Sequence, residues 1–342
     1  MVELNGKKIL VTFLMHLGDL TLTTPFIHAL RKAAPDAHIT MLVDEKLKDV
    51  VLFNPYLDEV VTIDKKGRDN SILSLWACSR HLSKLDFDVL INLHPNERCS
   101  FIDAMTSVKL RTGPTHKIFK WFWDVFTPLD RSMHAADMYL DVLQQLGVQD
   151  LSNNGLEIFP GEEHFLEAEL FWQEQNITDQ DKLIGFNIGS AVPTKRWPPE
   201  RFAEVADIFA AKGYKTVFFG GPMDEEMVAE ATGYMQTRPI IATGHFAIGG
   251  LAAAMRRCCL IITNDSGPMH VAISQKVPIV AMYGPSNPKL YGPYTKDAVI
   301  VTAQPPCQGC ADGMKHSCDD LQCMSRMTVE QVVAAAEKML EK

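Results

Sequence analysis

The sequence predicts an α/β protein made of two doubly wound domains of parallel sheet. Three observations carry this. Short β-branched runs alternate with amphipathic helical stretches along the chain. The runs are nearly continuous in apolar residues, as strands covered on both faces are. The 342 residues fit about two domains at roughly 150 residues each.

The elements follow in order. In the first half, strands are predicted at Lys8–Phe13, His38–Val43, Glu59–Ile63 and Val89–Leu93. Helices are predicted at Thr24–Ala33 and Ser71–Lys84. In the first of these, Thr24-Pro25 opens the helix and Phe26, Ile27 and Leu30 share one face. In the second half, strands are predicted at Leu183–Asn187, Thr216–Phe219, Leu260–Thr263 and Ile279–Met282. Helices are predicted at Pro199–Lys212, Asp224–Met235 and Pro268–Ser274. The stretch Leu151–Asp181, with its Asn, Gly, Pro and acidic residues, is the expected junction. The chain is thereby divided into 1–165, 166–326 and a tail, 327–342. In the tail, Thr328–Leu340 reads as a capped helix with Val332, Ala336 and Leu340 along one stripe.

Composition narrows the function. At 46% hydrophobic and 22% charged residues the chain is ordinary globular protein, which excludes a disordered, collagen-like or disulfide-stapled class. Asp and Glu outnumber Lys and Arg by 42 to 33, for a net charge of −9, so no nucleic-acid partner is expected. No apolar run approaches the ~20 residues that span a bilayer. No signal-peptide pattern opens the chain, and a cytoplasmic location is the expectation. The eight cysteines then read as free thiols or metal ligands.

Doubly wound domains bind ligands beyond the carboxyl ends of their strands, and two of them imply an intervening cleft. Three strand-to-helix turns carry chemistry. The first, Leu14-Met15-His16-Leu17-Gly18-Asp19-Leu20, has neither a dinucleotide-binding glycine fingerprint nor a Walker loop. Gly18 suits a tight turn, and Asp19 is either a helix cap or a general base. The second spans Gly189 to Glu200, with Ser190, Thr194, Lys195 and Arg196 ahead of a helix that Pro199 opens. A cation near a helix amino end opposes the dipole, so an anionic ligand would account for Lys195; a solvated loop anchored by Trp197 is the plainer reading. The third, Asn264-Asp265-Ser266-Gly267-Pro268-Met269-His270, offers free N–H groups to an anion, with His270 in the first helical turn. Gly220-Gly221-Pro222 and Tyr283-Gly284-Pro285-Ser286 add small-residue turns on the same edge.

With these residues in order the chain resembles the ADP-heptose-using lipopolysaccharide heptosyltransferases, glycosyltransferase family 9. The matching residues are Gly18-Asp19, Thr23-Thr24-Pro25, Ala29-Leu30-Arg31, Thr194-Lys195-Arg196-Trp197-Pro198, Asp265 to Ala272, and Tyr283-Gly284-Pro285. Together they extend over roughly residues 8 to 335. The resemblance implies a GT-B fold, two Rossmann-like domains, and an inverting transfer with no metal or other cofactor. It implies Asp19 as general base. It implies Lys195, Asp265, Ser266, Gly267 and His270 as the donor diphosphate site, with Ser190, Thr194, Gly221 and Gly284 as further donor-side candidates. Gly18, His94, Lys117 and Lys120 are acceptor-side candidates. The partners implied are ADP-heptose and the lipopolysaccharide core, with transient contact at the inner face of the inner membrane. In GT-B proteins the last helix often crosses back to the N-terminal domain, which makes 327–342 a candidate to do so. The motif wording divides between the second core heptosyltransferase and later-acting core enzymes, so the acceptor sugar stays open.

Other features compete. Asp86-Phe87-Asp88 has the form of a metal-binding D-x-D but immediately precedes a strand, away from the ligand edge. The stretch Lys109–Lys120 holds four basic residues and no acid, followed closely by Trp121, Phe122 and Trp123. It reads either as a surface for an anionic acceptor or membrane or as a buried aromatic cluster with a basic rim. Cys307, Cys310, Cys318 and Cys323 lie close enough for a structural metal, but not at zinc-ribbon spacing. The rival functions are a GT-B enzyme using another nucleotide sugar and a non-catalytic two-domain small-molecule-binding protein.

Overall fold

The computed structural model describes residues 2–303, 318 and 320–341. The chain divides into two compact units, Met1–Phe159 and Pro160–Lys342. That boundary falls inside the expected junction, six residues ahead of the 165/166 division, because Glu162–Glu174 folds as the first helix of the second unit.

The first unit holds β1 (Lys8–Thr12), β2 (His38–Asp44), β3 (Glu59–Ile63), β4 (Phe87–Asn92), β5 (Val108–Gly113) and β6 (Val125–Phe126). They form one parallel sheet in the order β3-β2-β1-β4-β5-β6. The second unit holds β7 (Leu183–Asn187), β8 (Lys215–Phe219), β9 (Ile240–Ile241), β10 (Cys258–Asn264), β11 (Ile279–Met282) and β12 (Ala298–Val301). Its parallel order is β12-β11-β10-β7-β8-β9. Both sheets therefore share one doubly wound topology. In each, strand order reverses between the first and fourth strands, β1/β4 and β7/β10. Such switch points open a crevice at the carboxyl edge.

The central strands were legible because they are apolar on both faces: β1, β2, β7, β10 and β11 are almost wholly buried. Four strands escaped the sequence reading. β5 carries Lys109 and Arg111 and is mostly half-buried, so its charges mask the strand signal. β6 and β9 have two residues each, and β12 is a half-exposed edge. The helices Glu97–Met105, Ala135–Gln145, Glu162–Glu174 and Ile248–Met255 were also unanticipated.

The helix Val329–Leu340 forms as expected. The Thr328 hydroxyl accepts from the Gln331 N–H, and the Gln331 side chain accepts from the Thr328 N–H. Its destination differs from the expectation. Val332, Ala336 and Met339 lie in the second unit's core with Trp197, Phe202 and Phe209. The stripe is apolar enough to close that core, so the helix stays with the unit that precedes it.

Candidate active site

In the second unit the turns after β7 and β10 meet at the switch point. Both strands end on asparagine, and both side chains tie the turns together. Asn187 donates to the Thr263 hydroxyl (3.0 Å) and to the Ser266 hydroxyl (2.8 Å). Asn264 donates to the Ile188 carbonyl (2.7 Å) and accepts from the Trp197 N–H (3.1 Å). Trp197 is fully buried and its indole N–H reaches the Met327 carbonyl. The anchor expected of Trp197 is thus present, and it fixes the loop carrying Lys195.

Lys195 closes the 3-10 turn Pro193–Lys195, and its Nζ lies 2.7 Å from Asp265 Oδ2. The Ser286 hydroxyl donates to the same carboxylate oxygen. The Ser190 hydroxyl donates to the Asp265 carbonyl (3.3 Å), and Arg196 Nε donates to the Ser190 carbonyl (2.8 Å). Tyr283 donates to the Tyr291 carbonyl; burial and the nearby Asp265 charge raise its hydroxyl well above the usual range. The helix Gly267–Ser274 starts at Ser266 with Pro268 in its first turn. Half-exposed Ser266 and Gly267 leave that amino end accessible. Lys195, Asp265, Ser266, Gly267 and Ser190 therefore converge on one spot, with Thr194 buried beneath. His270, in the first turn of that helix, is buried at 4% exposure.

Two glycines have packing reasons. A Cβ on Gly189 would meet Asp224 Oδ1 at 2.1 Å, and Asp224 also accepts from the Gly221 N–H (2.9 Å). Asp224 thus joins the turns after β7 and β8, and it explains Gly221 as a turn residue. A Cβ on Gly284 would meet Met324 Sδ at 2.3 Å, so its smallness serves the packing of segment 322–325.

In the first unit, Gly18 and Asp19 lie on the one-turn helix Leu17–Thr21 after β1, and Asp19 is half-buried. A residue the sequence reading missed holds that turn. Lys65, largely buried, donates to the carbonyls of Leu14 (2.7 Å) and Met15 (2.9 Å) and pairs with Asp44 (3.1 Å). Beneath the switch point lies a buried polar cluster, also missed. Thr12 donates to Asp103 Oδ2 (2.9 Å), with Cys99 Sγ 3.9 Å from the same oxygen. Burial pushes the Asp103 carboxyl up to about 8, against the pull of the Thr12 hydroxyl and Arg111. His94 follows β4, its N–H held by Asn92 Oδ1 (2.6 Å). Burial, then the Lys65 charge, pushes its imidazole down to about 4. The missed signal is a polar residue ending an apolar strand: Thr12, Asn92, Asn187 and Asn264.

The other candidates separate from these sites. Lys117 and Lys120 are exposed on the 3-10 helix Lys117–Phe122. Lys109 pairs with Asp88 (2.7 Å), and Arg111 reaches the carbonyls of Asp103 (3.1 Å) and Thr106. Asp88 sits near the amino end of β4, where it also accepts from the Lys8 N–H (2.9 Å). Among the described residues no group of three or more His, Cys, Asp or Glu is placed to hold a metal ion. Cys307 and Cys310 lie outside the described residues. Also among those residues, no helix is long and apolar enough to cross a membrane.

Two doubly wound units of this topology, with polar turns gathered at the switch points, have the architecture of the GT-B fold. The family model described as glycosyltransferase family 9 (heptosyltransferase) matches residues 75–318, more than half of the chain. The chain belongs to that family. A crystal structure of a family 9 glycosyl transferase from Veillonella parvula DSM 2008 is 54% identical, with a TM-score of 0.95 over 99% of each chain. The Escherichia coli ADP-heptose lps heptosyltransferase II is 21% identical, with a TM-score of 0.79 over 98% of each chain. Lipopolysaccharide heptosyltransferase 3 of Escherichia coli K12 is 25% identical over 94% of this chain and 95% of its own length.

Proposed function

We propose that this chain moves heptose from ADP-heptose to the lipopolysaccharide core in a single inverting displacement that uses no metal. The heptose, the nucleotide and the metal independence rest on the family resemblance. What the residues add is a diphosphate site, and the observation that carries it is the Lys195–Asp265–Ser286 network beside the amino end of helix Gly267–Ser274.

The chemistry follows from those groups. An ammonium has three donors, and Lys195 spends one on Asp265, which leaves two for phosphate oxygens. Asp265, itself fixed by Ser286, holds the ammonium in place before any anion arrives. In the transfer, the acceptor hydroxyl oxygen bonds to the anomeric carbon while the bond from that carbon to the β-phosphate oxygen breaks. Asp19 takes the hydroxyl proton. Lys195 and the N–H groups of Ser266 and Gly267 stabilise the charge that passes to the departing ADP. Attack and departure on opposite faces of the carbon give inversion. The reading assigns base and leaving-group stabilisation to different units of the chain.

Titration calorimetry with ADP, UDP and GDP tests the reading. ADP is expected to bind most tightly, and Lys195→Ala to weaken it by about tenfold or more, about 1.4 kcal/mol. Asp19→Asn is expected to bind ADP like the wild type and to transfer no sugar. Tighter binding of UDP or GDP would replace the donor assigned here. Full turnover by Asp19→Asn would remove the base.

A further inference from the structure

We infer that the carboxyl-edge rim of the first unit is a docking surface for an anionic lipid bilayer. Two elements build it. The 3-10 helix Lys117–Phe122 follows β5 and exposes Trp121 at 95%, Ile118 at 62% and Phe122 at 46%. The helix Ile72–Ser83 follows β3 and exposes Leu73 at 78%, Ile72 at 72% and Trp76 at 52% in its first turns. Both pack on the helix Glu97–Met105, so they flank one element of the same layer. Most of the first unit's exposed large apolar side chains belong to these two short elements.

The local folding shows why these side chains stay outside the core. The buried face of Ile72–Ser83 is Leu75, Ser79 and Leu82, and these pack over the sheet. Ser71 caps that helix by accepting from the Ser74 N–H at 3.1 Å, which holds the exposed first turn in helical form. In Lys117–Phe122 no residue is buried at all. Phe119 alone turns inward, edge-on to Phe101 at 6.2 Å. A soluble monomer seldom concentrates apolar area in this way without a partner.

Charge decides which partner. Lys117 and Lys120 stand on the same short helix as Ile118, Trp121 and Phe122, and neither is in an ion pair among the described residues. Lys120 Nζ sits 4.5 Å over the Phe126 ring, which keeps the ammonium at the aromatic edge. Of the nearby acids, Glu97 faces His116 at 3.8 Å and Asp124 accepts from the Arg111 N–H at 2.7 Å. A chain of net charge −9 is repelled by an anionic surface unless a local basic patch meets it. Exposed indole and phenyl rings beside two lysines on one short helix match the headgroup boundary, where rings enter and ammonium groups stay wet. The inference rests on the function proposed above, since a lipid-anchored acceptor presents its sugars beside a bilayer.

Co-sedimentation of the full-length protein with vesicles tests it. Phosphatidylglycerol–phosphatidylcholine vesicles are compared with phosphatidylcholine alone. The wild type is expected to prefer the anionic vesicles by about tenfold, about 1.4 kcal/mol. The pair Trp121→Ser/Leu73→Ser and the pair Lys117→Glu/Lys120→Glu are each expected to abolish that preference. Transfer to a lipid-free core oligosaccharide is expected to proceed at the wild-type rate in Trp121→Ser/Leu73→Ser. Failure of the wild type to bind anionic vesicles, or wild-type binding by both pairs, overturns the inference. Loss of transfer to the lipid-free acceptor in Trp121→Ser/Leu73→Ser also overturns it, because the rim would then bind sugar. Vesicle binding by a wild type that transfers to neither acceptor form upholds the surface and defeats the function.

Discussion

Asp103 and His94 make opposite use of the same burial. The Asp103 carboxyl stands at about 8, above its ordinary 3.8, so the folded first unit holds a proton there that the unfolded chain releases. Between about pH 4 and 8 that group makes stability fall as pH rises, by up to about 1.4 kcal/mol per pH unit. The His94 imidazole stands at about 4, below its ordinary 6.5, so the unfolded chain binds the extra proton. Between those values it makes stability rise with pH. The two slopes oppose each other up to about pH 6.5, and above that only Asp103 acts. The first unit's melting temperature is therefore expected to be flat over the lower range and to fall between about pH 6.5 and 8. Asp103→Asn, which can still accept from Thr12, is expected to remove the fall and leave a rise below pH 6.5. A wild-type profile with no decline above pH 6.5 would refute the buried proton. Lys65 and Asp44 belong to the same scale. Their pairing fixes the turn that carries Asp19, so a residue remote from the proposed chemistry sets the position of the proposed base.

Elements take their positions from caps and from strand-ending polar residues. The tail helix shows the first device. Thr328 and Gln331 satisfy each other's N–H groups at its amino end, and its apolar stripe then closes the second unit's core. Thr328→Ala is expected to destabilise that unit by about 1 kcal/mol, read as a lower unfolding midpoint in urea. An unchanged midpoint would mean that core packing alone holds the helix. The strand ends show the second device. Asn187 and Asn264 cross-link the two turns of the second switch point, and Thr12 and Asn92 hold the buried cluster of the first. These side chains make each crevice a fixed arrangement of donors and acceptors instead of two independent loops.

At the scale of the molecule, each unit has its own sheet and its own buried cluster. The proposed diphosphate groups, Lys195, Asp265, Ser266 and Gly267, all lie in the second. A fragment of residues 160–342 is therefore expected to fold alone and to bind ADP with an affinity of the same order as the full chain. It is expected to transfer no sugar, since Asp19 lies in the other unit. Calorimetry on the fragment checks this, and loss of ADP binding by a folded fragment would show that the first unit supplies part of the donor site.

The class of fold, the central strands and the loops that carry chemistry are legible in the order of residues. Apolar runs such as Ile279–Met282 have one stable place, between two layers of helix. Small and charged residues such as Asp265-Ser266-Gly267 at a strand end mark where a helix amino end lies open. Period and composition report burial and backbone freedom, and those are local properties. The rest follows from long-range packing. That packing paired Lys195 with Asp265, 70 positions further along the chain, set Lys65 beneath the Asp19 turn, and buried the Asp103 carboxyl. It also sent the tail helix into the second unit and left Trp121 in solvent. Each of these depends on which distant residue stands opposite, and contact between distant residues leaves no period in the chain.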